Sequence, residues 1–273
     1  MRTVKKVMQY AILVLLALVF MMPFLWMIST SLKGGADDLF TYPPQIIPKS
    51  FHWENYRKVL SMYPWGVFLK NTSLITFISM FATLLSSAMV AFSFARLRFP
   101  GRDKIFFLVL STMMVPYYTT LIPQYILFSK LGWVNTLKPL IVPNFFGAAF
   151  YIFLLRQHFM GIPPELDDSA KIDGASTMRI FGSIYLPLAK PALITIGILQ
   201  FMSAWSDFIG PLIYLHSEKN YTLTLALNTF RGIHYTDWHY LMAGTMMVAL
   251  PSLIFFFVGQ NYIIGGITVS GIK

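Results

Sequence analysis

Long apolar runs separated by short polar stretches organise this chain. A helix needs about 20 mostly apolar residues to cross the hydrocarbon core of a bilayer. Six segments reach or nearly reach that length: 8–31, 71–95, 105–128, 139–156, 189–216 and 240–263. The fourth is short and holds Pro143 and Gly147, and the fifth carries Asp207 near its middle. Such breakers are tolerated in spans because neighbouring helices and hydroxyl side chains satisfy the freed backbone groups. The pattern predicts an all-α polytopic membrane protein with six transmembrane helices. No tandem repeat, low-complexity tract or dividing linker interrupts it, so residues 1–273 read as a single transmembrane domain.

Composition agrees. The chain is 56% hydrophobic and 12% charged, with a mean hydropathy of +0.62. Soluble domains carry about 25% charged residues, so this chain has too little polar surface to cover a water-soluble globule. The formal charge of +10 fits lysines and arginines gathered at lipid headgroups and in cytoplasmic loops, and nucleic acid is not implied. No cysteine is present, which excludes disulfides and thiol chemistry. The basic start and first apolar run could suggest a secretory signal, but the run between Lys6 and Lys33 far exceeds a signal core of about 7–15 residues. An uncleaved first span is expected.

Charge also orients the spans. Arg2, Lys5 and Lys6 flank the first, and Arg96, Arg98, Arg102 and Lys104 fill the short loop after the second. Placing both groups in the cytoplasm satisfies the positive-inside rule. Both termini then lie inside, together with the polar stretch 157–188. The loop before the second span, with Lys33, Lys49, Arg57, Lys58 and Lys70, fits the rule less well.

That polar stretch has a local structure of its own. Pro163 and Pro164 suit a helix start. Glu165, Asp167 and Asp168 then fall in the first turn, where the helix dipole favours carboxylates. Gly174 can end the helix in a left-handed cap. A second short helix from about Ser176 would run through Met178, Ile180, Phe181 and Ile184 until Pro187 breaks it. Ala170, Ile172, Ala175 and Met178 would offer small and apolar surface to a partner.

The spacing within 165–191, ELDDSAKIDGASTMRIFGSIYLPLAKP, resembles the cytoplasmic loop of permease subunits in binding-protein-dependent ATP-driven importers. The family pattern is Glu-Ala-Ala, three residues, Gly, nine residues, Ile-x-Leu-Pro. Here Asp168-Ser169-Ala170, Gly174, Ile184, Leu186 and Pro187 stand at those places, with Asp168 and Ser169 in the positions of Glu and Ala. Further segments are similar to sugar-type permeases: NYRKVL and FLKNTSLIT, AFSFARLRFPGR, LGWVNT, SAWSDFIGPLIYL and the tail QNYIIGGITVSGIK. The resemblance implies that Glu165, Asp168, Ser169, Ala170, Asp173, Gly174, Ala175, Ile184, Leu186 and Pro187 couple the chain to an ATPase, and that the tail reaches toward the ATPase dimer. It also implies a bacterial or archaeal cytoplasmic membrane and a set of partners: a homologous second permease, a dimer of cytoplasmic ATPases that bind ATP and Mg, and an extracytoplasmic solute-binding protein. The carbohydrate subclass, for maltose, other oligosaccharides or glycerol phosphates, is the one suggested.

An intramembrane carboxylate is costly and is a functional candidate by default. Trp205, Asp207 and Phe208 combine aromatic faces with a hydrogen-bonding group, as sugar recognition requires, in a span broken by Gly210 and Pro211. Asp207 could equally sit in water near the outer mouth or pair with the second permease; the family usually has Asn there. Trp26, Trp65, Trp133 and Trp238 read as anchors at the membrane interface. His52, His158, His216, His234 and His239 are scattered, and no phosphate-binding GxxxxGK[ST] loop is present, so neither a metal site nor ATP hydrolysis is expected of this chain. The alternative is an ion-gradient-driven secondary transporter, which would show inverted repeats and midplane ionisable groups; only Asp207 meets that description.

Overall fold

The computed structural model describes residues 2–35, 39, 41–232 and 235–268. His234 and the last residues of the tail, 269–273, lie outside them. The helices in chain order are α1 (Arg2–Ser31), α2 (Glu54–Met62), α3 (Trp65–Arg96), α4 (Arg102–Ser111), α5 (Tyr117–Lys130), α6 (Lys138–Ile141), α7 (Ala149–Met160), α8 (Glu165–Ile172), α9 (Thr177–Ile180), α10 (Leu186–Leu188), α11 (Lys190–Trp205), α12 (Ile209–Tyr214), α13 (Leu223–Leu227) and α14 (Trp238–Thr268). Among the described residues the only β pairing is an isolated bridge between Arg231 and Thr236.

Four stretches are long and apolar enough to cross a membrane: Lys5–Ser31, Trp65–Arg96, Lys138–Met160 and Trp238–Tyr262. Two further apolar pairs are bent, Arg102–Met114 with Tyr117–Lys130 by 98° and Thr177–Leu188 with Lys190–Trp205 by 77°. Counting each pair as one span gives at most six; in the second pair Lys190–Trp205 is the apolar arm and Thr177–Leu188 lies in the polar loop before it. The first bend falls at Val115, which is extended at ψ 116°. Pro116 follows it, and the proline ring disfavours helical backbone in the residue before it.

The chain divides into two compact units, one of residues 1–65 and 223–250 and the other of residues 66–222 and 251–273. In the first, Asn55 Nδ2 donates to the carbonyls of Ser31 and Lys33, both at 2.9 Å, and so closes the end of α1. Trp65, expected as an interface anchor, is instead buried. Its indole N–H donates to the Val59 carbonyl at 2.7 Å and its ring stacks on Phe230. A buried indole needs such a partner. The apolar side chains of α1 are exposed from Val7 to Phe24; a helix apolar all round requires lipid or protein on every side.

In the second unit, α3 buries a stripe of hydroxyls: Thr72, Thr76, Ser79, Thr83 and Ser87. Steps of three and four residues keep them on one helix face. Ser79, Thr83 and Ser87 meet the irregular middle of the fourth span, where α6 passes into a 3-10 turn (Val142–Phe146) and Gly147 turns left-handed at φ 77°. Ser79 donates to the Leu140 carbonyl at 3.2 Å, and the Ala148 N–H donates to Ser87 Oγ at 3.2 Å. The hydroxyl stripe thus satisfies backbone that Pro143 and Gly147 free. At one end of α3 and α7 an aromatic core forms from Phe92, Phe159, Phe181 and Tyr185, with ring centroids 4.9–6.4 Å apart.

Candidate functional site

The loop between α7 and α11 is ordered by its own sequence. Pro164 precedes α8, and the Asp167 and Asp168 N–H groups donate to its carbonyl. At the other end of α8, the Gly174 N–H reaches the Lys171 carbonyl at 3.0 Å and the Ala175 N–H reaches Ala170 at 2.9 Å. These paired bonds form a Schellman cap, which needs a left-handed residue at its corner; Gly174 supplies it at φ 77°. Ser176 then caps α9, its hydroxyl accepting from the Arg179 N–H at 3.3 Å. The product is two short helices joined at a rigid corner.

Pro187 does not end the second helix. The chain continues through a widened π turn (Phe181–Tyr185) into α10 and breaks only at Ala189. Pro187 stands at the start of α10, where the missing amide is one the widened turn already leaves without an α-type partner.

Glu165, Asp168, Ser169, Asp173, Gly174 and Pro187 are exposed. Ile172 and Met178 are the prominent apolar groups, 87% and 63% exposed. Ala170, Ala175, Ile184 and Leu186 are half-buried and pack against the aromatic core. The two alanines therefore seat the corner on the core, and Ile172 and Met178 alone present the apolar surface expected of all four.

Beneath this surface lies a cluster that the motif did not mark. Tyr185 is fully buried, and its hydroxyl donates to Asp167 Oδ1 at 2.6 Å. Arg96, the last residue of α3, places its guanidinium 3.9 Å from Asp167 Oδ2 and 5.0 Å from the Tyr185 ring centroid. Its Nη2 also donates to the Phe159 carbonyl at 2.9 Å and to the Ile162 carbonyl. The inward carboxylate is thus Asp167, whereas Asp168 points out and pairs at 3.6 Å with Lys171. A second arginine runs the opposite way. Arg156 of α7 donates to the Phe94 carbonyl of α3 at 3.4 Å, approaches Asp103 at 3.5 Å and covers the Phe106 ring. Each arginine caps the other helix at its C-terminal end, where unpaired carbonyls and the helix dipole favour a cation.

Among the spans of the second unit, a cleft of about 380 Å³ is lined by Ser79, Tyr117, Asn144, Gln200, Ser203 and Asp207, with apolar residues between them. Asn144 is its hub. Its Nδ2 donates to the Leu140 carbonyl and to Ser79, while its Oδ1 accepts from Thr83 at 3.2 Å and Gln200 at 3.1 Å. Asp207 lies in the three-residue gap between α11 and α12 and accepts from the Gly210 N–H at 3.2 Å. Gly210 leaves room there: a Cβ would stand 2.5 Å from Asp207 Oδ2 and 2.8 Å from Leu140, so the Asp207 side chain would have to move. Trp205 faces elsewhere, stacking on Phe201, which in turn lies flat on Phe255 at 3.7 Å. Phe208 is half-buried and does not line the cleft. Sequence reasoning missed Asn144 and Gln200; their signal was the hydroxyl stripe of α3, which required polar partners on the facing spans.

Fold and site together define a polytopic helical membrane protein with a polar cleft among its spans and an exposed, internally braced two-helix loop at one end. The profile of binding-protein-dependent transport system inner membrane components matches residues 87–263. The chain belongs to that family: it is a membrane-embedded permease subunit of an ATP-driven importer, and not an enzyme. It is 31% identical over 264 residues to the trehalose/maltose transport system permease protein MalG of Thermococcus litoralis, covering 95% of this chain and 94% of that one. It is 32% identical over 263 residues to the arabinooligosaccharides transport system permease protein AraQ of Bacillus subtilis, covering 95% and 92%. In fold it is similar to a chain of a bacterial ABC transporter involved in the import of the acidic polysaccharide alginate, with TM-score 0.83 and 24% identity over 95% of this chain and 96% of that one.

Proposed function

We propose that this permease forms half of the translocation pathway for a carbohydrate or related solute. A homologous second permease completes the pathway, an extracytoplasmic binding protein delivers the cargo, and a dimer of ATPases holds the 163–187 loop. ATP and Mg act on the ATPases; this chain binds no cofactor. Both termini and the loop lie in the cytoplasm of a bacterial or archaeal cell, an orientation that the basic residues around Arg2 and Arg98 support. Residues 1–273 act as one membrane domain.

The observation that carries the coupling role is the cap at Gly174, which fixes exposed Ile172 and Met178 on a rigid corner seated on a packed core. A knob of that kind passes on the motion of a partner, where a pliable linker would absorb it. ATP and loaded binding protein each stabilise the outward-facing state, and hydrolysis returns the system inward. Asp207, with Asn144 and Gln200, offers hydrogen-bonding groups to a hydroxyl-rich solute; the sugars in the names of the relatives support that class. Solute contact falls to Asp207, Asn144 and Gln200, since Trp205 and Phe208 do not line the cleft.

Affinity purification of the tagged chain in mild detergent tests the reading. Recovery of an ATPase and a second permease of similar size is expected. A lone chain that stays folded and moves solute by itself would overturn it.

A further inference from the structure

The loop motif accounts for the exposed knob but leaves unexplained why a tyrosine, a carboxylate and an arginine are buried under it. Burying charge is costly unless each ion is paired and hydrogen-bonded. Arg96 and Asp167 have side chains only 12% and 13% exposed, and Tyr185 is wholly enclosed. A loop that needed only to be folded could rest on aromatic packing, which Phe92, Phe159 and Phe181 already supply.

The three polar groups join four separate parts of the chain: α3 through Arg96, the end of α7 through the Phe159 and Ile162 carbonyls, α8 through Asp167, and the π turn through Tyr185. Packing between apolar surfaces lets helices slide by small amounts at little cost. A guanidinium hydrogen-bonded to two carbonyls, with a carboxylate 3.9 Å away holding its charge, does not slide, because its donors point in fixed directions. Arg156, tying α7 back to the Phe94 carbonyl of α3, closes the same ends from the other side.

We propose that Arg96, Asp167 and Tyr185 form a strut that makes the loop and the adjoining ends of the second and fourth spans move as one body. Arg96 is its central positioning residue. The proposal rests on the docking role given to the loop above. It implies that force applied at Ile172 and Met178 reaches α3 directly, and does not pass first along the backbone through α11.

The assembled transporter in lipid tests this. The chain has no cysteine of its own, so Arg179→Cys and Met89→Cys give two labelling positions, one on an exposed part of the loop outside the docking residues and one on α3. Spin labels there report the loop-to-span distance with and without ATP. With the native strut the distance stays narrow and unchanged between nucleotide states. In Arg96→Ala, and in Tyr185→Phe, which keeps the ring and loses only the hydroxyl, the distribution broadens and shifts on adding ATP while the ATPases stay bound. Should Arg96→Ala fail to assemble, Tyr185→Phe decides the matter. Distributions that remain narrow in the variants overturn the strut, as does a broad distribution in the native background with ATPases bound. Failure of the unlabelled chain to bind any ATPase would instead remove the docking reading itself.

Discussion

Gly174 offers the sharpest test of the loop, because its cost can be separated into parts. A Cβ built there meets nothing within 4 Å, so a side chain causes no clash and the whole penalty is backbone strain at φ 77°. For an ordinary L-residue in the left-handed region that strain is about 1–2 kcal/mol, whereas Asn adopts the conformation readily. Strain relieved by unwinding the corner lowers the population of the docking-competent loop, and the apparent affinity for a partner falls in the same proportion. Gly174→Ala should therefore weaken ATPase binding by up to about fivefold, and Gly174→Val by up to about thirtyfold. Gly174→Asn should stay near native, and Gly174→Pro, whose ring holds φ near −65°, should abolish coupling. The assay is titration of the ATPase subunits onto proteoliposomes holding the permease pair, read alongside ATP-driven uptake. The order Asn, Ala, Val, Pro is the signature of a conformational cause. Equal binding by all four variants would refute the reasoning, as would a loss that tracks side-chain size with Asn as damaging as Val.

Ala170→Arg should leave membrane insertion intact and abolish uptake, because Ala170 packs on the aromatic core and a long cation there must lift α8 from its seat; normal uptake would show that the seating is irrelevant. Asp207→Ala should change uptake kinetics or solute preference while assembly persists. Gly210→Ala should reproduce that phenotype, since its methyl would take the space of Asp207 Oδ2, and native kinetics in both would remove Asp207 from the pathway. Asn144→Leu takes from Gln200 its side-chain partner and from Ser79 and Thr83 one of their two, at about 1–3 kcal/mol for each buried polar atom left unpaired. The detergent-purified protein should denature at lower temperature, and an unchanged transition would mean that these groups find other partners.

The spans were legible because a bilayer imposes one strong rule: every backbone polar group must be satisfied within the segment, and the lipid-facing surface must be apolar. That rule writes itself as length and composition, so apolar runs can be found in the sequence even where the helix breaks inside them, as at Val115–Pro116 and at 206–208. The Gly174 corner was legible for a similar reason, since a left-handed cap strongly favours a glycine at one place. The bend at Val115–Pro116 carried a signal too, in the proline itself, but proline in a span marks either a kink or a break and packing chooses between them. Pro187 shows the limit of local reasoning, because the π turn before it had already given up the N–H hydrogen bond that a proline would remove.

What the sequence by itself determined is the helical, membrane-spanning class, the family and the position of the two-helix loop, all of which rest on short-range spacing and on the chemistry of single residues. Only the tertiary structure decided which of two adjacent carboxylates faces inward, that Arg96 and Tyr185, far apart in the sequence, close upon Asp167, and that Asn144 ties the hydroxyl stripe of α3 to Gln200. Adjacent positions on a helix point about 100° apart, so the choice between Asp167 and Asp168 depends on which face of α8 meets the core. That face is set by packing among α3, α7 and the π turn, and contacts between residues so distant in the chain leave no local pattern to read.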